Sequence, residues 1–213
     1  VLPASLRVRS GVLHARAGDA RTARKLLEQA AKEDESAALP LELVGAISSW
    51  APDVVTREEA ARVYMEAAKR RGDGDAAAHD DTVRAVEADP TNEDAARALA
   101  ARLSARHPRQ GDEVLRELGL AFERASGAKA ARRIHGERFQ SALAKGDVVT
   151  ALGAAFDAGL DRALFGPSAS VFDEILLRAG ALEMLAARIE WRAYRAEGEQ
   201  ERARALAALA RLS

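Results

Sequence analysis

The chain contains no cysteine. That excludes disulfides, thiol nucleophiles and every metal or iron–sulfur centre that needs a thiolate ligand, and it fits a reducing compartment. Aromatic residues are 4% of the chain, and Val and Ile are sparse, so the residue types that favour strands are scarce. Neither sign of charge is in excess: 32 Lys+Arg stand against 33 Asp+Glu, a formal net charge of -1. No global field therefore recruits nucleic acid or an anionic membrane surface. No apolar run approaches the ~18 residues of a membrane span, and no signal peptide is visible. Gly-rich phosphate loops, nucleophile elbows and His–Glu zinc helices are missing as well.

What fills the chain instead is alanine, fifty of its 213 residues. Alanine is the best helix former and its small side chain lets helices approach closely. The expectation is an all-α protein of one domain, 1–213, with thin helix contacts. Because the chain opens at Val1 rather than Met, it reads as an excerpt of a longer protein or as a processed product. The expected location is the cytoplasm, or the periplasm or a membrane tether where an upstream signal has been removed.

The stretch from Ala85 to Ala96 shows how the chain is organised. Pro90 lacks an N–H and pushes Asp89 out of the helical region, so one helix stops there. Thr91 or Asn92 can cap the next, with Glu93 and Asp94 in its first turn. The same theme predicts a helical hairpin at 5–17 and 20–33, broken by Gly18-Asp19. Leu6, Leu13 and Ala17 form one face of its first helix; Ala23, Leu27, Ala30 and Ala31 form one face of its second. A second hairpin is expected at 40–50 and 57–70, with Gly45 in register with Gly11. Its connection, Ala51 to Thr56, is long, and Thr56 with Glu59 makes a capping box. Ala60, Tyr64 and Ala67 repeat the spacing of Ala23, Leu27 and Ala30, and Ala78, Thr82 and Ala85 repeat it again after Gly72-Asp73-Gly74-Asp75.

Further helices are expected at 93–106, 111–126 and 128–145, then at 148–158 after Gly146-Asp147, with Ala151, Ala155 and Ala158 at the repeat spacing. Gly159 to Pro167 is irregular and is the expected place for a kink or sub-domain boundary. Helices at 168–179, 181–196 and 199–212 close the chain, the last pair marked by Trp191, Tyr194, Gly198, Ala203, Leu206 and Ala210.

These recurring marks resemble the tetratricopeptide repeat, whose ~34-residue pattern places small residues in both helices of a hairpin around a Gly-Asp-like turn. Gly11, Gly18, Ala23 and Ala30 occupy such places, while His14 stands where the family has Tyr and Glu35 where it has Pro. The resemblance runs through 4–37, 73–92, 132–165 and 184–213. It implies a right-handed α-solenoid of antiparallel helix hairpins, about six repeats long, and a protein–protein interaction scaffold that binds a peptide or partner segment in a concave groove lined by the first helix of each hairpin. In that register Arg188, Arg192 and Arg195 line the groove of the last hairpin, Arg133 and Gln140 that of the 132–165 repeat, and Arg97 follows Pro90. Arginine forks carboxylates, so the implied ligand is a protein or peptide with an acidic segment. The alternative for these arginines is a solvated face with local Glu partners. Family members that clamp a C-terminal carboxylate use groove asparagines, and the only asparagine here is Asn92.

No residue pattern points to catalysis or to a cofactor. His14, His79, His107 and His135 are spread singly, so no metal site is expected. Asp80 and Asp81 point ~100° apart on a helix and read as a solvated acidic face, part of a run with Asp73, Asp75, Glu87, Asp89, Glu93 and Asp94. Arg124, Lys129, Arg132, Arg133 and Arg138 form the most basic segment, but Phe122 and Phe139 beside it read as core rather than as a stacking platform, so no nucleic-acid partner is expected. Two other roles compete with groove binding: a spacer or self-association module, and a non-catalytic accessory domain of a larger enzyme.

Overall fold

The computed structural model describes residues 3–72 and 74–212. Asp73, counted in the acidic run above, lies outside them, as does Val1. The described residues are all helical, with twelve α-helices, one 3-10 turn and no strand. Consecutive helices pack in pairs, consistent with a helical repeat. No helix among them is long and apolar enough to cross a membrane.

Contacts divide the chain into two compact units, Val1–Ala121 and Phe122–Ser213. The first holds α1 (Ala4–Arg16), α2 (Ala20–Glu33), α3 (Leu39–Ile47), α4 (Arg57–Arg71), α5 (Ala76–Ala88), α6 (Glu93–Ser104) and most of α7 (Pro108–Ser126). The second holds α8 (Ala128–Ala144), α9 (Val148–Asp157), α10 (Pro167–Arg178), α11 (Leu182–Arg195) and α12 (Glu199–Leu209), with the 3-10 turn Leu160–Arg162 inside the irregular stretch. His107-Pro108 does not delay the next helix to residue 111: Pro108 begins it, where a missing N–H costs nothing. The helix expected over 40–50 ends earlier, at Ile47.

Two kinds of turn recur. At Gly18 and Gly146 the backbone takes a positive φ, 81° and 69°, and the next residue caps the following helix. Asp19 accepts from the Thr22 amide and Asp147 from the Thr150 amide, each at 3.1 Å. After α2 and after α5, Asp34 and Asp89 adopt nearly the same conformation, φ −126° and ψ 92° against φ −136° and ψ 94°. Each carboxylate accepts the hydroxyl of the residue two on, Ser36 or Thr91, at 2.6 Å. One turn carries Glu35 and the other Pro90, so the aspartate fixes the shape and the proline is dispensable to it. Asn92 then caps α6, accepting the Ala95 amide at 3.0 Å.

The small residues make the helix contacts. Ala23, Ala30, Ala60, Ala67, Ala78, Ala85 and Ala151 are wholly buried. Gly11 packs against Leu27 and Gly45 against Tyr64, so the matched glycines play one role in successive hairpins. The long Ala51–Thr56 connection sinks Val55 fully into the core, and Arg24 of α2 ties it down by bonding the Val54 carbonyl and Glu59. Glu59 therefore supplies its amide to Thr56 at 3.2 Å and its carboxylate to Arg24, which is half of a capping box.

One predicted face is wrong. Leu6, Leu13 and Ala17 are exposed; α1 packs through Gly11, with Val8 and Ala15 half-buried beside it, because a helix that must approach Leu27 closely presents its smallest residues. In α12 the buried position is Ala205, while Ala203, Leu206 and Ala210 face outward.

Candidate functional site

The arginines assigned to a groove divide by partner. Arg97, in the first unit, pairs with Glu93 one turn back at 2.8 Å. Arg133 pairs with Glu137 at 3.0 Å, and Gln140 is exposed. These contacts follow the alternative of local Glu partners. Arg188 and Arg192, one turn apart on α11, converge on Asp173 of α10. Arg188 also donates to the carbonyls of Asp161 and Ala163, so it holds the irregular stretch rather than facing solvent. The Nε of Arg192 is buried without an acceptor. Arg195 lies outside, 5.1 Å from the Trp191 ring, which stacks on Tyr194 at 5.5 Å.

The acidic face is not all solvated. Asp80 is exposed, but Asp81 is 1% exposed and accepts from Arg71 at 3.1 Å. Arg71 also binds Glu42, and Arg84 stands near both carboxylates. Burial, then the Glu42 charge, push the Asp81 carboxyl above its ordinary range, against the pull of Arg71 and Arg84. Adjacent helical positions diverge, and α3 and α4 happen to cover one of the two. Arg138 likewise leaves the basic segment: it is 4% exposed and donates to Asp157 at 2.8 Å and to Nδ1 of buried His135 at 3.0 Å. An arginine has only donors, so that ring nitrogen is the acceptor. Arg124, Lys129, Arg132 and Arg133 remain exposed.

Two of the first unit's concavities bear on function. One, of about 550 Å³, brings His79 of α5 and His107 together with Asp75, Asp80, Arg102 and Arg106, beside Ala76, Leu103 and Ala105. The other, of about 240 Å³, opens between α1 and α3 over Leu27 of α2. It is lined by Val12, Ala15, Leu43, Ala46, Ile47 and Trp50, with Arg16 at its edge. Its α3 wall belongs to a stripe with spacings of four, three and four: Leu39, Leu43 and Ala46 on α3 and Trp50 in the turn just past it. Leu39 and Trp50 are 51% and 45% exposed. That stripe was readable in the sequence, since an apolar row beside the fully buried Val44 and Ile47 gives α3 two apolar faces where a core helix needs one.

The concavity is a recess between the first helices of successive hairpins, apolar on its floor and cationic at one edge. It offers no nucleophile and no acid–base pair, and its chemistry is that of burying an apolar side chain. No family model matches the chain, and no curated protein matches it.

Proposed function

We propose that this protein is a non-catalytic interaction scaffold of tetratricopeptide type, a right-handed α-solenoid that takes a segment of a partner protein along the first helices of its hairpins. The proposed location is the cytoplasm. One observation carries the reading: the open apolar recess between α1 and α3, the first helices of the first two hairpins, with Trp50 half out of it. A volume of about 240 Å³ is below the ~300 Å³ at which small-molecule pockets begin. It suits a single anchoring side chain of a peptide, the kind of contact that dominates protein interfaces. The recurrence of the Gly-Asp and Asp-x-Ser/Thr turns supports a repeat array as its frame.

The test is site-specific photocrosslinking. A benzophenone amino acid replaces exposed Ala46 in the recess or, as a control, exposed Lys25 on α2. The expected result is a discrete adduct with another protein from position 46 and none from position 25. Adducts from both positions, or from neither, refute recess binding. An adduct with a second copy of the chain favours self-association, for which the exposed Met184, Trp191 and Tyr194 on α11 are the supporting observation.

A further inference from the structure

The α1/α3 recess carries more information than its apolar floor. Arg16 lines its edge. Arg9 stands two turns earlier on the same helical face, since positions seven apart nearly eclipse on an α-helix. Both are exposed. Neither has an ion-pair partner among the described residues, in contrast to Arg7, Arg24, Arg70 and Arg71 of the same unit. None of the residues lining the recess is acidic. The one carboxylate on α3, Glu42, is turned away into the Arg71–Asp81 cluster. The chain as a whole is balanced in charge, so a recess with an unpaired guanidinium in its lining, a second two turns back on that helical face and no carboxylate among the lining residues is a local asymmetry.

We infer that the recess takes an acidic peptide: a short segment whose bulky apolar side chain enters between Leu43, Ala46 and Trp50 while carboxylates beside it meet Arg16 and Arg9. This rests on the peptide-binding reading above and adds the ligand's chemistry. The anchor supplies affinity by leaving water. The arginines select sign, because a carboxylate is forked by a guanidinium whereas a lysine at that place meets like charge. Charges at such an exposed rim act on association and are weakened by salt.

A random peptide library displayed on phage is panned against the folded chain. Variants Ala46→Trp, which fills the recess, and Trp50→Ala, which removes one wall, serve as controls, each checked by circular dichroism and thermal melting. The expected peptides carry one Leu, Ile, Met or Phe with two or more Asp or Glu within a few residues, and both variants abolish their capture. For a synthetic peptide from that set, Arg9→Glu/Arg16→Glu should weaken binding about tenfold or more, and added salt should weaken binding to the parent chain. Peptides that depend on the open recess but lack carboxylates, or bind the double-charge variant as tightly as the parent, overturn the acidic assignment and leave the recess standing. A library yielding nothing, or only peptides indifferent to Ala46→Trp, refutes the recess itself.

Discussion

Arg188 donates its Nε hydrogen to the Asp173 carboxylate at 3.1 Å. Its guanidinium also lies 4.6 Å from the centroid of the Phe172 ring, which is fully buried. An arginine that by register would face a ligand is thereby a clasp between α10, α11 and the irregular stretch. Truncating it leaves Asp173 with Arg192 alone and frees the carbonyls of Asp161 and Ala163. Arg188→Ala should cost on the order of 2 kcal/mol, read as a shifted urea midpoint. Arg195→Ala, which removes an exposed side chain, should stay within ~0.5 kcal/mol. Equal midpoints for the two variants would mean that the clasp contributes nothing.

A buried carboxylate sets a pH dependence. Asp81 is held above the ordinary carboxylate range by burial and by Glu42, so it binds its proton more tightly folded than unfolded. The stability it contributes is fully present below the unfolded-state value of about 3.9. It is lost as pH rises through the raised folded value. Asp81→Asn keeps the shape without the titration. The stability of the parent relative to Asp81→Asn should therefore fall as pH climbs from about 4, in urea melts across the acid-to-neutral range. A difference that stays level would show that Arg71 and Arg84 fully offset the burial.

The turn at Pro90 gives a sharper test of what ends one helix and starts the next. Asn92 accepts the Ala95 amide, and Asp89 holds Thr91 through both its amide, at 2.9 Å, and its hydroxyl. Asn92→Ala should cost ~1 kcal/mol, the usual loss of a helix cap. Pro90→Glu copies the Asp34-Glu35-Ser36 turn and should alter stability by less than that. A Pro90→Glu variant more damaging than Asn92→Ala would restore proline as the determinant.

The helix boundaries at Gly18, Thr56, Pro90 and Gly146 were legible because those signals are local and act through their own backbone, whereas Pro108 starts a helix expected from 111 and α3 ends three residues early. The faces of α2, α4, α5 and α9 were legible too, since Ala23-Leu27-Ala30 and its echoes at Ala60-Tyr64-Ala67, Ala78-Thr82-Ala85 and Ala151-Ala155-Ala158 are buried where the spacing puts them, whereas α12 buries Ala205 instead of its marked residues. The first-helix faces were not. In α1 the packed position is a glycine, which hydropathy ignores, while Leu6 and Leu13 are exposed for no reason given by their own helix. Asp81 and Arg138 show the same limit, for a charged residue is buried when a partner such as Arg71 or Asp157 arrives from elsewhere in the chain. The recess between α1 and α3 lay between these cases: its α3 stripe is periodic, but only the arrival of α1 turns a stripe into a cavity.

Close approach is the property on which the hairpin contacts depend, and it can be measured. A Cβ added at Gly45 would stand 2.6 Å from Cζ of Tyr64, well inside van der Waals contact. Tyr64 is 8% exposed and cannot swing aside without opening the packing of α3 on α4. Gly45→Ala should therefore cost ~1–3 kcal/mol, as overpacking does, although alanine is the better helix former. Ala30→Leu and Ala151→Leu, at sites with no exposed surface, should lose a similar amount. Gly153 on α9 is the control: an added Cβ there meets nothing within 4 Å, so Gly153→Ala should gain ~0.5–1 kcal/mol from helix propensity alone. Opposite signs at Gly45 and Gly153 in thermal melts are the expected outcome. A gain at both would mean that α3 and α4 are not held at this spacing.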